Sequence, residues 1–166
     1  MKFDDEYIKK ILQDEGYVSP EDIKKAESYA LDHGTSFLNY LIEEGVLDKD
    51  IINQAIAESV ELPYINIKNN IPNKEDILKI PEEVALRLRV ILLNENENEI
   101  KIATDYKPTV EMEEELKKLF EGKKIIFNFT DSDDLDEVFL NYQKGLETRF
   151  EKIIKEKKQI APEIVD

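Results

Sequence analysis

The sequence predicts an α+β fold in which an N-terminal four-helix lobe of two repeated helical hairpins precedes a small mixed-sheet α/β sandwich lobe. Three observations carry this reading. The stretch FLNYLIEEGVLDKDIINQAIAES, ending at Ser59, follows an earlier one, YIKKILQDEGYVSPEDIKKAESYA, at an offset of 29 residues (45 − 16, from the two glycines). At Leu62-Pro63 the apolar spacing changes from the helical period to alternation. Beyond that point the signals run strand, helices, strand, strand, helix, strand, helix, an order that suits a sheet covered by helices.

In the hairpins, Ile8, Ile11, Leu12, Glu15, Gly16, Val18, Ile23 and Ala26 stand opposite Phe37, Tyr40, Leu41, Glu44, Gly45, Leu47, Ile52 and Ala55. One supersecondary unit has been used twice, and each copy needs a neighbour to cover its apolar face. The first helix is expected from about Asp4 to Asp14. The second starts at Ser19, where Ser19-Pro20-Glu21-Asp22 offers a capping hydroxyl, a proline at the first helical position and acids near the positive helix end. It runs to about Gly34. The third spans about Ser36 to Glu44, and the fourth, capped by Asp48, about Lys49 to Val60. Gly16 and Gly45 fall where the first helix of each hairpin stops, a place for a left-handed residue that glycine fills cheaply.

In the second lobe, Tyr64, Ile65 and Ile67 of PYINI read as a short strand that Pro63 confines to an edge or a strand start. After turn residues 69–73, Lys74 to Ile80 and Pro81 to Leu88 read as two short helices. Val90 to Asn94 is a buried strand, Glu95 to Asn98 a polar hairpin turn, and Ile100 to Thr104 its antiparallel mate. A helix from Pro108 to Glu121 is expected to bury Val110, Met112, Leu116, Leu119 and Phe120, with Gly122 ending it. Strand Ile125 to Phe129 follows. Ser132 or Asp133 then caps a last helix bearing Leu135, Val138, Phe139 and Tyr142. The organisation is thus residues 1–62, a helical lobe; 63–142, a sandwich lobe; and 143–166, a C-terminal helix or linker with Leu146, Phe150, Ile153 and Ile154 on one side.

At 166 residues and 41% hydrophobic, the chain can bury a real core. Its formal charge of −15 is uneven: 6 basic and 15 acidic residues up to Leu62, 11 and 18 from Pro63 to Tyr142, 6 and 5 thereafter. Sequence-independent nucleic-acid binding needs clustered Lys and Arg and is excluded as an expectation; anionic lipid would be repelled alike. A basic partner would instead be steered in. With no cysteine, disulfides and thiolate metal sites are unavailable. No signal peptide and no membrane-length apolar run is evident, so the expected location is the cytoplasm.

The doubled hairpin, the LPYINI stretch, the IPEEVALRLRVILL step, the hairpin ending in IATD and the final strand and helix together resemble the amino-terminal, MshEN-like domain of the bacterial type II secretion and type IV pilus assembly ATPases, over Asp4 to about Tyr142. The resemblance implies a non-catalytic adaptor that docks the motor onto the cytoplasmic domain of an inner-membrane platform protein, peripheral to that membrane and not inserted in it. It also implies an alternative, a cyclic di-GMP-sensing module or a stand-alone regulator of such a machine, because a subset of these domains bind that ligand through the hairpins. There each hairpin opens with Arg-Leu-Gly and closes with Gln. Here the first hairpin has Tyr7, Ile8 and Lys9 with Ala30, and the second has Ser36, Phe37 and Leu38 with Ser59. These are degenerate positions: neither arginine is kept, Lys9 at the place of a glycine offers the one substitute positive charge, and Leu38 is bulky where glycine would let a ligand approach the backbone. No cofactor is therefore expected.

Catalysis is not expected either. A P-loop needs GxxxxGK[ST], yet the one Gly-Lys pair, Gly122-Lys123, is followed by Lys124 and lacks the upstream glycine. An ATPase domain, if the parent chain has one, would lie beyond Asp166. The single histidine, His33, reads as a surface residue with no nucleophile or orienting partner. Asp131, Asp133 and Asp134 lack the glycine and closing glutamate of a calcium loop and are explained by helix capping.

Overall fold

The structure is a computed structural model, described here for residues 3–140, 142 and 153–155. In the N-terminal helical region, α1 (Asp5–Asp14), α2 (Pro20–His33), α3 (Phe37–Glu43) and α4 (Lys49–Ser59) form the two expected hairpins. The repeat holds bond by bond. Leu12 O accepts from Tyr17 N and Val18 N (2.9 and 3.3 Å), and Leu41 O accepts from Val46 N and Leu47 N (2.9 and 3.1 Å). These bonds need a left-handed residue in the turn, and Gly16 and Gly45 have φ of 72° and 69°. A Cβ at either would meet nothing within 4 Å, so the demand is one of backbone conformation and not of space. Ser19 caps α2 as the sequence predicts, and Asp22 accepts from Ser19 N in return, closing a capping box.

The sheet has the order β1-β2-β3: β1 (Val90–Glu95) pairs antiparallel with β2 (Glu99–Thr104), and β2 pairs parallel with β3 (Lys124–Phe129). A register shift between Leu92 and Asn94 marks a bulge in β1. Short helices α5 (Lys74–Ile77) and α6 (Glu82–Leu88) lead into β1, α7 (Val110–Leu119) connects the parallel pair, and α8 (132–140) follows β3. Two apolar clusters result. One gathers Leu12, Leu41, Ala26 and Ala57 among the helices, and the other gathers Ile80, Leu92, Ile102, Leu116 and Leu135 around the sheet. Phe129, at the end of β3, is buried in the helical cluster, and Leu62 packs against both.

Three expectations need correction. PYINI is not a strand: Tyr64 makes an isolated bridge to Phe129, and the chain then turns into a 3-10 helix at Ile67–Asn69. Pro63 has no N–H to give a ladder, and the Asn66 side chain accepts from Asn69 N, which rewards a turn over an extended chain. Val110 and Leu119 are exposed, at 70% and 40%; α7 begins after the Thr109 cap, and its buried stripe is Met112, Leu116 and, just past the helix, Phe120. Finally, α8 is capped by Asp131, ahead of both expected residues. The amphipathic helix expected beyond Gly145 lies almost wholly outside the described residues; of its apolar positions Ile153 and Ile154 are described, and both are exposed.

Candidate functional site

Where the helical region meets the sheet, a cleft of about 460 Å³ opens between α1, α3 and α4 on one side and the β3–α8 turn on the other. Its floor is apolar, with Ile8, Leu38, Ile52, Ile56 and Phe129, and its rim carries Asp5, Asp105, Asp131 and Asp133 against a single cation, Lys49. Local sequence explains each side. The helical period brings Ile52 and Ile56 to one face of α4, with Lys49 and Asn53 beside them. The chain leaving β3 must start a new helix, and the acids it uses for that purpose, Asp131 and Asp133, become the opposite wall.

Asp131 joins the two sides. Its Oδ2 accepts from Asp133 N and Asp134 N (3.0 and 3.1 Å), capping α8, while its Oδ1 accepts from Asn53 Nδ2 at 3.0 Å. Lys49 Nζ lies 3.0 Å from Asp131 Oδ2 and 3.6 Å from Asp133. Burial opposes the Asp131 charge, but hydrogen bonds from Lys49, Asn53 and the α8 backbone outweigh it and hold the carboxyl below the usual aspartate range. Asp134 moves the other way, raised first by burial and then by the neighbouring Asp131 charge. A second contact runs alongside, in which the Tyr64 hydroxyl donates to Asp50 Oδ1 at 2.7 Å. Burial, followed by that carboxylate, pushes the phenol well above its ordinary value.

At the cleft's far edge Asp105, 1% exposed, is held by Arg89 through Nε (3.1 and 3.0 Å) and Nη2 (2.7 Å). Arg89 also reaches Asp136 at 2.8 Å and lies over the Phe139 ring. Its own backbone is left-handed (φ 56°), ending α6 so that the guanidinium turns toward the sheet.

The degenerate hairpin positions do not form one site. Ser36 and Leu38 line the cleft, and Ser36 is spent as the α3 cap, accepting from Asn39 N at 3.1 Å. Tyr7 and Ser59 come together, with their hydroxyls 2.9 Å apart. Lys9 is paired with Glu6 and Glu27 at 3.0 and 3.1 Å and sits over Phe37. Ala30 has no polar side chain to offer, and its carbonyl accepts from Gly34 N and Thr35 N in the turn after α2. The residues that do organise the cleft, Lys49, Asn53 and Asp131, were not singled out as a group by the sequence. A signal existed: Lys49 is the sole Lys or Arg between Lys25 and Lys68, and Asn53 is polar within an apolar helical stretch.

A four-helix region of repeated hairpins docked on the end of a three-stranded mixed sheet defines an α+β domain with an acid-rimmed cleft at the junction. The family model of the MshEN domain matches residues 60–149, more than half of the chain, and the chain belongs to that family. The match covers the segment from LPYINI onward, in accord with the resemblance to the amino-terminal domains of secretion and pilus ATPases. Among solved structures, one described as MshE with cdg is similar over 81% of this chain and 97% of that chain, at 21% identity and a TM-score of 0.55. That likeness is one of fold. The N-terminal domain of XpsE aligns over 84% of this chain and 96% of that chain at 12% identity, with a TM-score of 0.41. No curated protein matches the chain.

Proposed function

We propose that this chain is a non-catalytic adaptor domain, docking a secretion or pilus motor onto the cytoplasmic domain of its inner-membrane platform protein, and that the cleft at Lys49 and Asp131 receives a basic, amphipathic segment of that partner. The observation that supports this reading is the cleft's make-up, an apolar floor beneath four aspartates and one lysine, in a member of the MshEN family. An aliphatic or aromatic side chain would fill the floor while Lys or Arg met Asp5 and Asp133, the rim acids least committed within the chain. Among the described residues no helix is long and apolar enough to cross a membrane, so attachment to the inner membrane would run through the partner.

The test is association of the domain with the purified platform domain across ionic strength. Between about 0.05 and 0.5 M salt the Debye length falls from roughly 14 Å to about 4 Å, and the association rate should fall with it. A rate indifferent to salt would remove the acidic rim from the interface. The second reading, a cyclic di-GMP sensor, has one observation in its favour: Ser36 and Leu38, at the degenerate positions, line the cleft. Against it, Lys49 is the only cation there, and acids surround it.

A further inference from the structure

We infer that α2 carries a second docking surface, of opposite charge to the cleft, which takes an acidic polypeptide segment. The 29-residue offset (45 − 16) maps Lys24 onto Asn53 and Ser28 onto Ala57. On α4 this face is occupied: Asn53 and Ala57 are buried, and Asn53 donates to Asp131 of the acidic turn at Asp131, Ser132 and Asp133. On α2 the equivalent residues Lys24 and Ser28 are exposed, and nothing among the described residues covers them. The hairpin has been used twice, but one copy of its docking face is open.

The chemistry of the open face departs from that of α4 in a consistent direction. Lys24 replaces the neutral Asn53 on that face, Lys25 stands beside it where α4 has the exposed Gln54, and neither lysine makes an ion pair among the described residues. In the same region Lys9 and Lys49 are each held by two carboxylates, whereas Lys24 and Lys25 stand side by side with none. Beside the lysines, Tyr29 and His33 stack at 3.9 Å with 13° between their planes, and Tyr40 of α3 leans on Tyr29 at 4.9 Å. This aromatic ridge and the lysines border a shallow groove of about 440 Å³, with Asp32 the one acid in its lining. Carboxylates would meet the lysines and an apolar side chain would cover the ridge, the same pairing of acid and ring that Asp131 and Phe129 present to α4. The occupant is therefore an acidic turn or strand end of a partner. This surface is separate from the cleft, and its failure would leave the adaptor reading intact.

The experiment is an NMR titration of the full chain with a synthetic peptide of residues 128–135, NFTDSDDL, the segment that covers the face on α4. Shifts concentrated at Lys24, Lys25, Ser28, Tyr29 and Tyr40, saturating with a dissociation constant at or below about 1 mM, are expected. The double variant K24E/K25E should weaken binding at least about tenfold. A control of equal charge change at exposed lysines elsewhere, K74E/K107E, should leave it within about twofold. No saturable shift, shifts centred on Lys49 and Asn53, or equal loss in both variants would overturn the assignment. So would capture of anionic phosphatidylserine vesicles in place of the peptide, or a self-association in light scattering that K24E/K25E abolishes, since either would name a different occupant.

Discussion

Replacing Asp131 by alanine tests whether the junction between helices and sheet rests on one carboxylate. Three contacts would be lost together. Removing the α8 cap, which satisfies Asp133 N and Asp134 N, costs about 1 kcal/mol. The Asn53 amide, in a side chain only 6% exposed, would lose its acceptor and be left unsatisfied, for about 1–3 kcal/mol. Lys49 is partly exposed, so its ion pair adds at most about 1 kcal/mol. Because the contacts share one group they will not add fully, and the expected loss is about 2–4 kcal/mol of a stability on the order of 5–15. Urea unfolding monitored by circular dichroism measures it as a lower midpoint at unchanged slope. The acid limb supplies a second readout. Since folding lowers the Asp131 pKa, its contribution is complete above the unfolded aspartate value of about 3.9 and disappears as pH falls through the lower folded value. Asp131→Asn should therefore differ from the parent at neutral pH and converge with it in acid. An alanine variant within about 0.5 kcal/mol of the parent, or a deficit that does not shrink on acidification of the Asn variant, would refute the reasoning.

Leu41 is fully buried at the centre of the helical cluster, so Leu41→Ala should cost about 2–5 kcal/mol in the same urea experiment, with Leu12→Ala at its repeat position behaving alike. Arg89→Met would leave Asp105 buried without its partner, a loss of about 3–5 kcal/mol that the double variant Arg89→Met with Asp105→Asn should partly restore. Isothermal titration with cyclic di-GMP should give no dissociation constant at or below about 10 μM, roughly −7 kcal/mol; tighter binding would return the sensor reading to first place.

The hairpins were legible because each signal in them is local. Apolar spacing, a capping side chain and a glycine in the turn all act within a few residues, and Gly16 and Gly45 have the positive φ their positions imply. The β1–β2 hairpin was readable for the same reason, since Asn96 and Asn98 give a turn between two apolar runs. Failures came where distant groups decide. Tyr64 has one ladder contact because only Phe129 at the end of β3 lies beside it, and Asn66 then bends the chain away. Val110 and Leu119 match the apolar composition of a buried stripe but flank the line through Met112, Leu116 and Phe120. The cleft could not be read because Lys49 and Asp131 are 82 positions apart (131 − 49) in sequence and meet only after the helical region docks on β3.

The two hairpins have diverged in what their equivalent faces must do, and that divergence bears on ligand binding as much as on docking. Tyr7 opens the first hairpin and Ser59 closes the second, yet their hydroxyls meet at 2.9 Å, and Ser59 Oγ also donates to Ile56 O at 2.6 Å. These polar side chains therefore have partners within the chain. Lys9, the one cation among the degenerate positions, is likewise spent on Glu6 and Glu27, whose hydrogen bonds raise its pKa against the opposing effect of burial. An anion arriving at these positions would have to break contacts before making any, and it would do so beside an acidic surface. The face of α2 presents the reverse situation, with Lys24 and Lys25 exposed and uncommitted among the described residues. Lys24 and Lys25 on α2 are thus open to new contacts, whereas Lys9 at the opening of the first hairpin is already paired. That exposed lysine pair on α2 favours a partner carrying carboxylates.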